Sequence, residues 1–315
     1  MIHLKKQKIL LTGSNGFLGT HVYHALLQKG VSKRNIYAPT SKELDLRVWK
    51  NCVFATKDID VVIHLAAKIG GIGFNKRAPG EIFYDNALMG IQLMEAARLA
   101  NVKKMVTVGT VCAYPKNAPI PFKETSLWEG YPEEVTAPYG MAKKMLLVQG
   151  KAYFEQYGFQ SIFLLPVNLY GPGDHFDSIN SHVMPALIKK IVDAKAQNSP
   201  TVDVWGTGTA TREFLYVDDA AEGIIKATEK YDGIDPVNLG SAREISIVNL
   251  VRIICNQVGF KGKVVWDKSK PDGVMRRKLN VSKAYKEFGF KAQTPLELGL
   301  KRTIRSYMDF CKHNT

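Results

Sequence analysis

Tyr139 and Lys143 stand four residues apart in the run Pro138-Tyr139-Gly140-Met141-Ala142-Lys143. On a helix opened by that proline they share one face, one turn apart. A free phenol, with a pKa of about 10, protonates a developing alkoxide poorly at neutral pH. A lysine ammonium beside it favours the phenolate and is expected to lower that value, fitting the pair for proton donation. Thr110, just after Met105-Val106-Thr107-Val108-Gly109, adds a hydroxyl able to hydrogen-bond a substrate carbonyl. Tyrosine and lysine also occur at this spacing by chance on exposed helices. Their weight comes from an upstream pattern, Thr12-Gly13-Ser14-Asn15-Gly16-Phe17-Leu18-Gly19. There Gly13 permits a tight turn, Gly16 admits a diphosphate against the backbone, and Gly19 lets strand and helix pack closely. The helix that follows offers free N–H groups and a positive dipole end to phosphates. Ser14, Asn15, Phe17 and Leu18 complete this expected dinucleotide cradle.

The choice of nicotinamide cofactor rests on Tyr37-Ala38-Pro39-Thr40-Ser41-Lys42. A carboxylate that would hold a bare ribose diol is missing before Glu43, whereas Thr40, Ser41 and Lys42 suit a 2′-phosphate. NADP(H) is therefore expected; a solvated turn that accepts NAD(H) as well is the alternative. Asp45 and Leu46, Leu65, Ala66 and Ala67, and Pro166, Asn168, Leu169 and His182 are further expected cofactor contacts, Lys143 among them.

The elements that must position these residues alternate. Strands are expected at 8–12, 35–38, 61–65, 105–108 and 161–165, and helices at 16–29, 80–100 and 138–157. Such alternation predicts crossover units and an α/β fold: a doubly wound parallel sheet of Rossmann type. Beyond Pro166 the sequence turns irregular, at Gly171-Pro172-Gly173-Asp174, Gly206-Thr207-Gly208 and Lys270-Pro271-Asp272-Gly273. These stretches predict a smaller, discontinuous α+β substrate lobe. The expected division gives residues 1–166 plus about 214–240 to the dinucleotide and 167–213 plus about 241–315 to the substrate.

The 315 residues are 45% hydrophobic and 23% charged, with a net charge of +14. The basic residues are spread along the chain without zinc-finger spacing or basic-aromatic repeats, which argues against a nucleic-acid partner. Such a field suits polyphosphorylated small molecules equally well. The longest apolar runs are strand-sized, so no membrane span is expected. A short basic stretch leads directly into Ile9-Leu10-Leu11 without a signal-peptide core. Cysteines at 52, 112, 255 and 311 form no CxxC pair, predicting neither a disulfide framework nor a metal site. A cytoplasmic enzyme is the expectation.

The order of glycine cradle, hydroxyl and Tyr-x-x-x-Lys resembles the extended branch of the short-chain dehydrogenase/reductase superfamily. So do His64-Leu65-Ala66-Ala67 and Arg212-Glu213-Phe214-Leu215-Tyr216-Val217-Asp218-Asp219. Within that branch, five stretches resemble the GDP-4-keto-6-deoxy-D-mannose 3,5-epimerase-4-reductases. They are Ala67-Lys68-Ile69-Gly70-Gly71-Ile72, Val111-Cys112-Ala113-Tyr114-Pro115-Lys116, Asn168-Leu169-Tyr170-Gly171-Pro172, Asn180-Ser181-His182-Val183-Met184-Pro185-Ala186-Leu187 and Val204-Trp205-Gly206-Thr207-Gly208.

The resemblance implies that Cys112 is a base and His182 an acid. A C4 ketone acidifies C3–H and C5–H, so the two can invert both centres through enediol(ate) intermediates before hydride arrives at C4. A thiol of pKa about 8.5 is only slightly ionised at pH 7, so a cation such as Lys143 is expected to help; histidine needs little tuning. The resemblance further implies a GDP-linked keto-deoxy-sugar held by Asn168, Lys190, Trp205, Arg212 and Asp272, and a homodimer built on helices 80–100 and 138–157. Arg212 is suited to bidentate diphosphate binding, or else to a salt bridge with Glu213 or Asp218. Thr110 stands where the family usually has serine. Asn15, Pro39 and Lys190 stand where it often has arginine. A GDP-linked 4-keto-heptose is the competing substrate. A non-catalytic NADP-sensing protein on this fold is the other alternative, and it would not need Thr110, Tyr139 and Lys143 together.

Overall fold

Ile9–Thr12 form strand β1, buried at every position, as a parallel sheet covered on both faces requires. The computed structural model describes residues 1–176, 181–270 and 272–313, so Asn180 and Pro271 lie outside the described residues. β1 pairs in parallel with β2 (Ile36–Tyr37) on one side and β3 (Val61–His64) on the other. Beyond β3 follow β4 (Lys104–Val108), β5 (Ser161–Pro166) and β9 (Val237–Leu239), giving the order β2-β1-β3-β4-β5-β9. The chain leaves β1 first toward β2 and then back toward β3. The crevice above their carboxyl ends is therefore a switch point, where ligands of open α/β sheets bind. Helix α1 (Phe17–Gln28) packs against α7 (Val217–Lys230), and α4 (Pro79–Leu99) against both α2 (Trp49–Thr56) and α5 (Ala137–Tyr157). The expected doubly wound sheet is present.

The remaining strands are short. β6 (Asn168–Tyr170), β10 (Glu244–Ser246) and β12 (Arg276–Arg277) all pair with β8 (Thr211–Tyr216), while β7 (Thr201–Trp205) pairs with β11 (Lys263–Asp267). Helices α6 (Val183–Ala196), α8 (Ile247–Val258) and α10 (Leu296–His313) bury Ile188, Leu250, Ile254 and Leu300 in a second apolar cluster. In α8, Ile247, Leu250, Val251, Ile254 and Val258 recur at helical spacing. Ser246 caps its start by accepting from Asn249 N, and Gly259, left-handed at φ 74°, ends it. Helix α3 (Ile72–Arg77) precedes α4, and α9 (Ser282–Phe288) packs on α7 and β9. Leu279, Ala284, Phe288 and Phe290 thus join the first cluster with Leu10, Ile63 and Leu164. Among the described residues no helix is long and apolar enough to cross a membrane.

One histidine ties the layers together. His21 on α1 places Nδ1 2.5 Å from the Asp218 carboxylate on α7, and Nε2 2.9 Å from the Pro172 carbonyl. Two acceptors at two ring nitrogens favour the imidazolium. Burial opposes that charge, but the Asp218 hydrogen bond, the Pro172 carbonyl and the Asp218 charge outweigh it, so the pKa is raised above 6.5. A raised folded-state value stabilises the fold fully below the unfolded pKa, and the gain is lost as pH rises through the folded value. Thermal unfolding of wild type and His21→Gln should therefore differ more at pH 6 than at pH 8. The difference should be on the order of 1–2 °C, because the half-exposed Asp218 is screened by solvent. A gap that stays constant or widens with pH would show that the imidazolium is not what stabilises this junction.

Candidate active site

At the carboxyl end of β1, Gly13 turns with φ +72°, and a Cβ there would sit 2.9 Å from Ala66 N. A Cβ on Gly19 would lie 1.9 Å from the Gly13 carbonyl oxygen, so helix and turn touch as the glycine spacing requires. Gly16 N donates to Gly13 O, and α1 starts with no side-chain cap. Its first-turn N–H groups are left for a ligand's phosphate. Phe17 and Leu18 are half-buried and Asn15 is exposed. Ser14 Oγ donates to Ala38 O, fastening the turn to the end of β2. Thr12 Oγ1 pairs with His64 Nδ1 and accepts from Ala66 N, so Leu65, Ala66 and Ala67 run beside the glycine turn. These features fit a dinucleotide.

Some expected cofactor contacts are otherwise engaged. Thr40 donates through N and Oγ1 to the Glu43 carboxylate (2.8 and 2.9 Å), whereas Ser41 and Lys42 beyond β2 are exposed. Asp45 is paired with Arg47 at 2.8 Å, and Leu46 is buried in the core. Neither of those two side chains is free for a ligand.

Helix α5 carries Tyr139 and Lys143 inward, at 7% and 1% exposure, and Lys143 Nζ donates to Ala66 O at 3.1 Å. Thr110 caps the turn Val111–Ala113 by accepting from Cys112 N, so its own O–H remains available to donate. A Cβ on Gly140 would lie 2.4 Å from Cys112 O. The tyrosine helix thus rides directly on the thiol-bearing turn, a close approach that the glycine after Tyr139 signals in the sequence. Phenol and thiol come together, with Thr110 capping the thiol's turn and Lys143 one helical turn from the phenol.

The expected lowering of the phenol by Lys143 is not found. Burial pushes Tyr139 above its ordinary value, with the charge of Cys112 adding to the effect. Burial also brings Lys143 down to about 8. Desolvation disfavours the charged form of each group, the phenolate and the ammonium alike. The phenol consequently stays protonated through neutral pH, the state a proton donor needs.

His182, just before α6, is exposed to solvent, with protein crowding part of the ring. That environment, with the charge of His175, lowers its pKa. The expected near-neutral titration is therefore displaced downward, and a ligand's negative charge is needed to restore it. Asp174, read in the sequence only as part of a turn, is buried, its Oδ2 has no partner among the described residues, and burial raises its carboxyl to about 7.

Arg212, on β8, donates to Thr211 O at 2.7 Å and to Asp272 O at 3.4 Å. Burial and the neighbouring Arg277 lower it to about 10, against the pull of Asp272. It forms no salt bridge with Glu213 or Asp218. Glu213 instead accepts from the backbone of Ala242 and Leu279, and Asp218 holds His21. The Asp272 carboxylate accepts from Thr207 N and Oγ1, closing the Gly206–Gly208 loop. Trp205 is 63% exposed, with the Lys190 and Lys270 ammonium groups 5.3 and 5.9 Å from its ring. The indole is surface rather than core, and Lys190 also donates to Asp203 O. Asn168 donates to Glu213 O, between buried Pro166 and half-buried Leu169. Arg277 was not singled out by the sequence; its Nη1 lies 3.8 Å from Cys112 Sγ.

The family model described as "NAD dependent epimerase/dehydratase family" matches residues 9–240, from β1 through β9. The chain belongs to that family. This epimerase/dehydratase is 39% identical, over 97% of its length and 93% of the relative's, to "Probable GDP-L-fucose synthase 1" of Oryza sativa subsp. japonica. The NADP-bound GDP-L-fucose synthetase of Naegleria fowleri superposes with a TM-score of 0.87 at 29% identity, covering 99% of this chain and 96% of that one. A GDP-D-glycero-L-gluco-heptose synthase of Campylobacter jejuni, in the presence of NADPH, gives 0.90 at 27% identity, covering 98% and 100%. The family member described here is thus a nicotinamide-dependent enzyme.

Proposed function

We propose that the chain converts GDP-4-keto-6-deoxy-D-mannose to GDP-L-fucose by 3,5-epimerisation and NADPH-dependent 4-reduction. The contact between Gly140 and the Cys112 turn carries this reading, because it gathers a base and a proton donor around one sugar. Thr110 donates its free O–H to the C4 carbonyl and stabilises the developing enediolate. Cys112, as thiolate, takes the C3 proton, and His182, protonated once the diphosphate is near, returns one from the opposite face. The same pair inverts C5. Bound NADPH supplies hydride to C4. Tyr139 gives its proton to O4, and Lys143 holds the Leu65–Ala67 stretch in place through Ala66 O.

The GDP moiety is assigned to the second lobe, with guanine against Trp205 and the diphosphate at Arg212. The dinucleotide is assigned to the sheet built on β1. Exposed Ser41 and Lys42 favour NADP(H) over NAD(H). Exposed Phe83, Tyr84 and Ile91 on α4, with Val148 and Phe154 on α5, support a cytoplasmic homodimer through these helices.

The Campylobacter jejuni neighbour favours a second reading, in which a GDP-linked 4-keto-heptose is the substrate. A non-catalytic NADP sensor is disfavoured by the gathered Thr110, Tyr139 and Lys143. The deciding experiment incubates the pure protein with GDP-4-keto-6-deoxymannose and either NADPH or NADH, and identifies the product by NMR. GDP-L-fucose formed faster with NADPH is the expected result. Turnover of the keto-heptose alone would shift the assignment, and no turnover of either sugar would remove it.

A further inference from the structure

We propose that Arg277 is the positioning residue of the Cys112 base, its guanidinium holding the sulfur as a thiolate beside the sugar. The inference rests on the epimerase reading above. Strand β12 is only two residues long and runs parallel to β8, with Arg276 opposite Thr211 and Arg277 opposite Arg212. Its two arginines have different partners. Arg276 forks onto Glu244, with Nε to Oε1 at 2.6 Å and Nη2 to Oε2 at 2.8 Å. Among the described residues Arg277 has no carboxylate partner; its Nη1 reaches Cys112 Sγ at 3.8 Å, within hydrogen-bond range for sulfur.

The charged and titratable groups around the thiol leave that role to Arg277. Lys143 spends its ammonium on Ala66 O. Tyr139 is held neutral by burial and offers no cation. Arg212 is directed to Thr211 O and Asp272 O. Lys116 is paired with Glu133 at 3.5 Å, on the rim of a small cavity that Arg277 shares with Val111, Tyr114 and Pro115. Cys112 and Arg277 are both half-buried, which strengthens a short charge–charge contact, and a guanidinium fork fixes its direction better than an ammonium.

There is also a reason on the cationic side. Two arginines in register on adjacent strands repel, and their repulsion already lowers the Arg212 pKa. An anion between them relieves that cost. A thiolate at Cys112 would be such an anion on the Arg277 side. During inversion the S–H bond formed from the C3 proton removes that anion, and loss of the proton to solvent or to the next carbanion restores it. No oxidant or co-reactant is needed.

The test uses the whole protein without substrate. Neutral iodoacetamide at pH 7 alkylates Cys112, and peptide-resolved mass spectrometry reads its rate beside that of Cys255 as reference. Arg277→Gln and Arg277→Met should each slow Cys112 alkylation about tenfold, the size expected from removing one opposite charge at ~4–6 Å. Cys255 should be unaffected, and Arg277→Lys should restore most of the rate. Solvent-deuterium uptake at the sugar's C3 should fall in parallel, with kcat dropping more than KM rises. Wild-type alkylation in both neutral variants, accompanied by a raised KM alone, would overturn the proposal and make Arg277 a substrate-phosphate contact. If wild type itself exchanges no deuterium, the epimerase reading fails, while the alkylation arm still reports on the Arg277–Cys112 pair.

Discussion

Tyr139→Phe should lower reduction of the 4-keto-sugar by on the order of 10²–10⁴-fold, the usual contribution of one general acid. The ring stays, so packing of α5 on the Cys112 turn should persist. Phenylalanine fills the same buried place as a residue 7% exposed. What disappears is the phenolic proton proposed for the nascent alkoxide. Thr110, proposed to hydrogen-bond the carbonyl, has no reason to give up its proton. Lys143 is anchored to Ala66 O independently of the phenol, so dinucleotide affinity should be unchanged. Single-turnover oxidation of bound NADPH separates the two effects, since binding and hydride transfer are read in one experiment. Deuterium uptake at C3 and C5 should continue in this variant, because inversion precedes hydride transfer and does not use the phenol. Full reductive turnover by Tyr139→Phe would take tyrosine out of proton delivery.

The glycine cradle was legible in the sequence because each glycine answers to one local steric demand, now seen as a Cβ 2.9 Å from Ala66 N or 1.9 Å from Gly13 O. The Tyr139–Lys143 spacing was legible for the same local reason, helical periodicity. Its consequence was not. Spacing fixes which groups are neighbours but not how deeply they are buried, and burial reverses the expected shift of the phenol. The second lobe was hidden in another way. β8 collects β6, β10 and β12 from three distant segments, and strands of two to six residues carry little pattern of their own. Asp272 looks ligand-directed in a turn next to a glycine, yet its partner Thr207 is 65 residues away in sequence. Arg277 sits in a basic run, Arg276-Arg277-Lys278, that reads as solvated surface until the β8–β12 register sets it facing Cys112. Helix α2 escaped notice because Val53 and Phe54 remain exposed, so its sequence lacks a clean apolar face.

Cys112→Ser should suppress solvent-deuterium incorporation at C3 and C5 by about 10²–10⁴-fold and change the product rather than merely slow it. An alcohol is a far weaker acid than a thiol, so serine at this position supplies almost no anion at neutral pH even beside Arg277. The turn itself should survive. Cys112 holds Thr110 through its backbone N–H, which serine retains, and the side chain is only partly buried. The carbonyl-binding hydroxyl and the proton donor therefore remain in place, and NADPH should still reduce the keto-sugar at C4. Reduction without prior inversion leaves the D configuration at C5. NMR should then find a 6-deoxyhexose whose C3 and C5 carry the substrate's own hydrogens, in place of the L-sugar. His182→Asn should give a related but distinct signature. Its thiolate can still remove a proton, but reprotonation from the opposite face is lost, so exchange with retention should exceed inversion. If Cys112→Ser incorporates deuterium at the wild-type rate and still yields the L-sugar, another residue is the base, with Asp174, whose Oδ2 has no partner among the described residues, the next group to substitute.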